Sequence, residues 1–223
     1  MDVMVGVAVI TVAVIYRNAT DKVTRMSRQS ELWKGEFGDA YHQRNNEVSR
    51  HNFWDKVLAG YRNLIGSVFE PGAGKGDNLV ALQTLLEPWQ AVRFTGMDVN
   101  ESACTAMNNR GIVGIHGAFP DMPIDNKYDL VITRGFLIHV PMEVLPLTLD
   151  KIYNMSNRFI CVAEYYSPSH RRVCYRGNRQ AMWTADYAGM LMKRHPDLKL
   201  LRYGFEYWME DGDDITWFLM EKK

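Results

Sequence analysis

Charge of one sign is the first thing this sequence lacks. Its 26 Lys and Arg balance 26 Asp and Glu, so the formal net charge is zero. A dedicated nucleic-acid binder carries a basic excess, so none is expected here. Cysteine is scarce: Cys104, Cys161 and Cys174 are odd in number, far apart and without a C-x-x-C pair. That excludes a disulfide framework or a Cys-based zinc site and predicts a reduced, cytoplasmic protein with no metal. The apolar run at the amino end, 3–15, has 13 residues, short of the roughly 17–25 of a membrane span. No stable membrane insertion is expected. Internal repeats and low-complexity segments are absent too, and 223 residues predict one domain with its own core.

The amino end lacks the positive leading region and small-residue cleavage site of a secretory signal. Its Val/Ile-rich run reads as an added strand, a weakly membrane-associating segment or an extension ahead of Met26-Ser27. The last reading is favoured: residues 1–28 form a dispensable extension, and residues 29–223 form the domain. Left unpaired, such a segment has the composition of an aggregation hazard.

What is present is organised around Val68-Phe69-Glu70-Pro71-Gly72-Ala73-Gly74-Lys75-Gly76. An apolar run ends in a carboxylate, three alternate glycines follow, and a helical pattern starts near Asn78. Strand, Gly-rich turn and helix place a nucleotide site at the carboxyl end of the first strand of an open parallel sheet. The dinucleotide fingerprint G-x-G-x-x-G is not met, because Asp77 stands where the third glycine belongs, and no Gly-Lys-Ser/Thr marks a phosphate loop. Instead, Glu70-x-Gly72-x-Gly74-x-Gly76 resembles the E/D-x-G-x-G-x-G signature of class I S-adenosylmethionine (SAM) dependent methyltransferases. In that family the turn packs against the methionine part of SAM.

The second strand, through Val92 and Phe94, closes on Asp98, 22 residues beyond Gly76. An acidic residue about 20 positions on is the usual partner of ribose hydroxyls. Asn100 and Ser102 are available to cap the next helix, 101–110, which leaves Asp98 free for that role. After a short third strand at 112–117, Phe119 and Asp121 are candidates to hold adenine. A fourth strand, 128–133, leads into Arg134 and the segment up to Pro141, where His139 is a candidate general base. A histidine there also fits a helix-capping or adenine-side role. The fifth strand ends at Glu164.

Residues 165–179 hold four arginines, three tyrosines and a histidine with no acidic residue. They are expected to form a loop beyond the carboxyl end of the fifth strand. In a neutral chain, arginine concentrated there addresses a carboxylate or phosphate. Tyr165, Arg171, Arg172, Tyr175 and Arg176 are therefore candidate acceptor-binding residues. The competing reading is a solvated loop paired with Asp211, Asp213 and Asp214. Strands near 198–208 and 215–220 around an acidic Gly turn predict a terminal hairpin. The segment 30–45 fits neither a clean helix nor a clean strand and reads as an amino-terminal lid carrying Trp33, Phe37 and Tyr41. A helix is expected from His51 to Leu64.

From Ser30 onward the chain also resembles the methylases associated with pseudaminic acid biosynthesis. The carrying segments are Trp33-Lys34-Gly35-Glu36-Phe37-Gly38-Asp39, Leu137-Ile138-His139, Ser156-Asn157-Arg158, Ala163-Glu164-Tyr165-Tyr166, Tyr175-Arg176-Gly177 and Asp213-Asp214-Ile215-Thr216-Trp217. Pro71 and Lys75 depart from the smaller residues expected beside the glycines. The resemblances imply a Rossmann-like class I methyltransferase fold: a seven-stranded, mostly parallel sheet ending in an antiparallel hairpin. They imply SAM as cofactor, held by Tyr41, Arg44, Glu70, Gly72, Gly74, Gly76, Asp98, Phe119 and Arg134. The implied reaction is methyl transfer to an oxygen or nitrogen of a small anionic acceptor, of which a pseudaminic-acid-type sugar or its nucleotide conjugate is the expected example. His139 is the first choice as base, with Tyr166 and Glu164 in reserve. The alternatives are methylation of a nucleotide or nucleic acid, and a non-catalytic SAM-fold binding module.

Overall fold

The computed structural model describes residues 30–44, 50–87, 91–119, 121, 123, 126–175, 178–207 and 214–223, without the side chains of residues 43, 44 and 178–180. The proposed extension 1–28, Arg176, Asp211 and Asp213 lie outside the described residues, as does the Arg44 side chain.

Among the described residues nine strands run in chain order: β1 (Ser67–Pro71), β2 (Arg93–Asp98), β3 (Val113–His116), β4 (Tyr128–Arg134), β5 (Ser156–Glu164), β6 (Arg171–Tyr175), β7 (Asn178–Thr184), β8 (Leu198–Glu206) and β9 (Ile215–Lys222). Seven of them form one sheet in the order β3-β2-β1-β4-β5-β9-β8. β1 to β5 are parallel, whereas β9 runs antiparallel to both β5 and β8. The expected sheet and terminal hairpin therefore form. Strand order reverses at β1, which lies between β2 and β4, and ligands bind beyond the carboxyl ends of strands at such a switch point.

Helices cover both faces: α1 (Glu36–Arg44), α2 (His51–Val57), α3 (Asp77–Leu86), α4 (Glu101–Asn109), α5 (Leu145–Met155) and α6 (Tyr187–Arg194). Alternate side chains of a strand point to opposite faces, so neighbouring residues divide between two cores. Val68, Leu130, Cys161 and Leu219 join Trp54, Leu82 and Met107, whereas Phe69, Val131, Ile160 and Met220 join Leu145, Ile152 and Leu191. β1 is buried along its whole length, which is why it reads as a continuous apolar run. Among the described residues no helix is long and apolar enough to cross a membrane.

Three expectations need correction. The described part of the segment 30–45, residues 30–44, is helical: a turn at 30–34, a break at Gly35 and then α1. The helix expected from His51 to Leu64 stops at Val57, and a short 3-10 turn, Arg62–Leu64, precedes β1. Of the arginine–tyrosine stretch, residues 165–170 form the expected loop, but Arg171–Tyr175 does not, because β6 and β7 pair as a separate antiparallel ribbon. Half-buried Val173 and Tyr175 pack on the second core, while Arg171, Arg172 and Cys174 face solvent. Two adjacent arginines disguise a strand that is only half covered.

Candidate active site

The β1–α3 turn needs its glycines. Gly72, Gly74 and Gly76 have φ of 65°, 54° and 82°, a region that side-chain-bearing residues rarely adopt. A Cβ on Gly72 would lie 2.3 Å from Cδ2 of Phe136, and one on Gly74 would lie 3.2 Å from Cε1 of His42. The turn is therefore walled by a ring from the segment after β4 and by an imidazole from α1.

A carboxylate lies beneath it. Glu70 is 1% exposed. Its Oε1 accepts Asn78 Nδ2–H at 2.7 Å, and Asn78 Oδ1 accepts the Trp54 indole N–H at 3.3 Å. Its other oxygen, Oε2, is buried with no hydrogen-bond partner among the described residues. Burial pushes the Glu70 pKa up to about 8, against the opposing pull of the Asn78 hydrogen bond, Arg50 and Arg134.

Asp98 closes β2 but is not free. Its Oδ2 accepts the Gly74 N–H at 2.8 Å, and its Oδ1 accepts the Asn100 N–H at 2.9 Å. The expectation that Asn100 caps the next helix holds, because its Oδ1 accepts the Ala103 N–H. Its Nδ2 also donates to Asp39 at 2.7 Å, which ties α1 to this end of the sheet. Each carboxylate oxygen retains lone-pair capacity beyond one hydrogen bond, so Asp98 can still accept hydroxyls.

Glu164 shapes the opposite wall. At 2% exposure, its Oε1 accepts the backbone N–H groups of Phe136 (3.2 Å) and Leu137 (3.0 Å), and its Oε2 accepts that of Ile138 (3.4 Å). Burial raises its pKa to about 7, opposed by these donors and by the Thr133 hydroxyl. The anchored turn, Leu137–His139, ends on the histidine. His139 Nδ1 lies 2.7 Å from the carbonyl oxygen of Ala181 on β7. A carbonyl only accepts, so Nδ1 carries the proton and Nε2 keeps its lone pair. Burial lowers the His139 pKa to about 4, partly offset by that hydrogen bond.

The lid and the ribbon meet around this histidine. Ring centroids of Trp33 and Tyr175 lie 4.5 and 5.8 Å from it, Phe37 lies 6.4 Å from Tyr175, and Tyr41 lies edge-on to Trp33 at 5.4 Å. Phe119 is buried between Phe69 and Phe136, while Asp121 is exposed. The Arg134 guanidinium lies over the Phe53 ring. Tyr166 stands apart, 47% exposed against Phe218 of β9, and Tyr165 packs between the two cores. Arg171 and Arg172 are exposed at the far end of β6 from Tyr175. His42, Asn78, Phe136 and the Ala181 carbonyl were not legible as site groups. Nothing near 72, 74 or 139 in sequence announces, respectively, Phe136, His42 and Ala181, which arrive from distant elements.

Comparison with known families and with curated proteins finds no match. Among solved structures, magnesium protoporphyrin IX methyltransferase (ChlM) from Synechocystis PCC 6803, with bound SAM, is similar at 13% identity. Its TM-score is 0.66, over 89% of this chain and 97% of that one. Burkholderia thailandensis 1,6-didemethyltoxoflavin-N1-methyltransferase, with bound 1,6-didemethyltoxoflavin and S-adenosylhomocysteine, matches at 15% identity. Its TM-score is 0.65, over 88% of this chain and 90% of that one. The plantazolicin methyltransferase BpumL in complex with SAH matches at 14% identity, with a TM-score of 0.61, over 95% and 99%. Likeness at these identities establishes architecture: the chain has the Rossmann-like α/β fold of these methyltransferases.

Proposed function

We propose that this protein is a SAM-dependent methyltransferase acting on an oxygen or nitrogen of a small anionic acceptor, with a pseudaminic-acid-type sugar or its nucleotide conjugate as the expected substrate. One observation carries the reading. A glycine turn that excludes Cβ atoms lies above a buried carboxylate, Glu70, whose Oε2 has no hydrogen-bond partner among the described residues. A carboxylate in that state suits a cationic ligand, and SAM carries an ammonium and a sulfonium. Similar folds crystallised with SAM or SAH support the same choice.

Glu70 and the glycine turn would hold the methionine part, Asp98 the ribose, Phe119 the adenine, and Tyr41, Arg44 and Arg134 the charged groups. Bound SAM would supply an electrophilic methyl on a good leaving group. The protein's own contribution is then mostly positioning, which supplies roughly 7–11 kcal/mol in favourable cases. His139 Nε2 accepts the acceptor's proton, because Ala181 fixes the tautomer that leaves the lone pair on this nitrogen. Glu164, its oxygens occupied by backbone donors, holds the turn, while Tyr166 and Arg171–Arg172 face solvent. The arginines suit the anionic part of the acceptor.

General-base catalysis contributes on the order of 10²–10⁴ in rate. His139→Ala should therefore lower kcat at least about 100-fold while donor affinity stays within a few-fold. An effect of only a few-fold on kcat would remove the base and leave positioning alone. The reading as a whole is tested by mass spectrometry with SAM across free and nucleotide-linked nonulosonic acids. The expected product is heavier by one methylene. Tight SAM binding with no product anywhere in the panel would sink the sugar assignment, and absence of SAM binding would sink the methyltransferase.

A further inference from the structure

The enclosure around His139 holds a second group that the methyl-donor site does not use. Trp33 is half-buried, and its indole Nε1–H is shielded from solvent with no hydrogen-bond partner among the described residues. Native structures rarely leave such a donor unmatched, and each case calls for a physical reason. A neighbouring ring face is at best a weak acceptor, so the edge-on contacts with Phe37 and Tyr41 do not replace a hydrogen bond. The Trp33 ring lies against His139, whose Nε2 has no hydrogen-bond partner among the described residues, and Phe37 and Tyr175 complete the walls. Three separate chain segments thus meet here: the lid at 30–44, the turn after β4, and the β6–β7 ribbon.

We propose that this enclosure is the acceptor subsite and that the Trp33 indole N–H hydrogen-bonds an oxygen of the acceptor. This rests on the methyltransferase reading, since it takes His139 as the group facing the reacting atom. The chemistry narrows the acceptor. An N–H donor selects an oxygen, a nitrogen lone pair selects a hydroxyl or amine proton close to it, and aromatic walls select a ring with an apolar face. A hydroxylated ring such as a sugar, with one oxygen on Trp33 and its neighbouring hydroxyl on His139, satisfies all three. Trp33 is then the residue that sets which position faces the base.

The test uses the full chain labelled with ¹⁵N. Six tryptophans give six indole resonances, and the one missing from Trp33→Phe is that of Trp33. Titration with pseudaminic acid and with its nucleotide conjugate should move this resonance downfield, as a newly formed hydrogen bond requires, whereas SAM alone should leave it in place. Trp33→Phe keeps the aromatic packing and removes the donor. It should weaken acceptor binding about ten-fold, leave SAM affinity within two-fold and not lower the melting temperature. The inference is overturned if SAM binds but neither sugar moves the resonance, or if SAM alone moves it. It is overturned equally if Trp33→Phe melts lower with acceptor affinity unchanged, since the N–H then has a partner inside the protein. A sugar-induced shift in a protein that fails to bind SAM would keep the subsite and discard the methyltransferase. Binding of neither would discard both.

Discussion

A buried carboxylate with one oxygen unsatisfied is costly for a fold to keep, and Glu70, whose Oε2 has no hydrogen-bond partner among the described residues, shows where that cost falls. Its pKa of about 8 lies above its ordinary value because burial disfavours the charged form. A raised pKa means that the folded state binds the proton more tightly than the unfolded chain. The resulting stability is fully present below the ordinary carboxylate range and is lost as pH rises through about 8. Glu70→Gln keeps the shape and an oxygen for Asn78 without the charge. Thermal melts should therefore show the variant and the wild type converging near pH 4. At pH 9 the variant should be more stable, by an amount on the order of a few kcal/mol. SAM affinity should move the other way, because a neutral amide does not attract a cation. A variant that melts below wild type at pH 9 would mean that the carboxylate is already paired. Stability surrendered for a ligand is a common feature of binding sites.

At the scale of elements, the turn that carries His139 is held by Glu164 across a gap of 27 residues to Leu137. Three successive backbone N–H groups depend on one side chain, and each left unsatisfied in a buried place costs about 1–3 kcal/mol. Glu164→Leu should destabilise the protein by several kcal/mol in denaturant titrations. Glu164→Gln, which keeps one accepting oxygen, should cost less and should lower kcat more than it raises the acceptor KM. Equal stability of the two variants would show that the donors find other partners. The sequence made Glu164 visible as the polar end of an apolar strand, in the way that Glu70 and Asp98 were visible. Its actual task was invisible, because backbone N–H groups have no residue type. Asp98 illustrates the same limit: the carboxylate was legible and its hydrogen bond to Gly74 was not. The β6–β7 ribbon was missed for a different reason. Its alternation is interrupted by the Arg171–Arg172 pair, and the side chains that make it a strand are only partly covered.

For the whole molecule, legibility follows burial. The central strands are apolar on both faces because helices cover both, so the parallel sheet and its glycine turn could be read directly. The lid could not, since 30–44 mixes aromatic and charged residues and takes its helical form by docking. Trp33 meets His139, and Asp39 meets Asn100. We propose that these contacts mark the amino-terminal edge of the folded unit. Among the described residues the two cores are drawn from Phe53 onward, and Trp33 is the first from the amino end whose ring meets the candidate site. A chain beginning at residue 29 should then keep its melting temperature within about 2 °C, the shift expected of less than 1 kcal/mol at this size. It should keep SAM affinity within two-fold. It should also self-associate less in light scattering, because the Val/Ile-rich run 3–15 has the composition of an aggregating strand. A fall of more than about 5 °C, which corresponds to over 1 kcal/mol, would show that residues 1–28 belong to the folded unit and would move the domain boundary to the start of the chain.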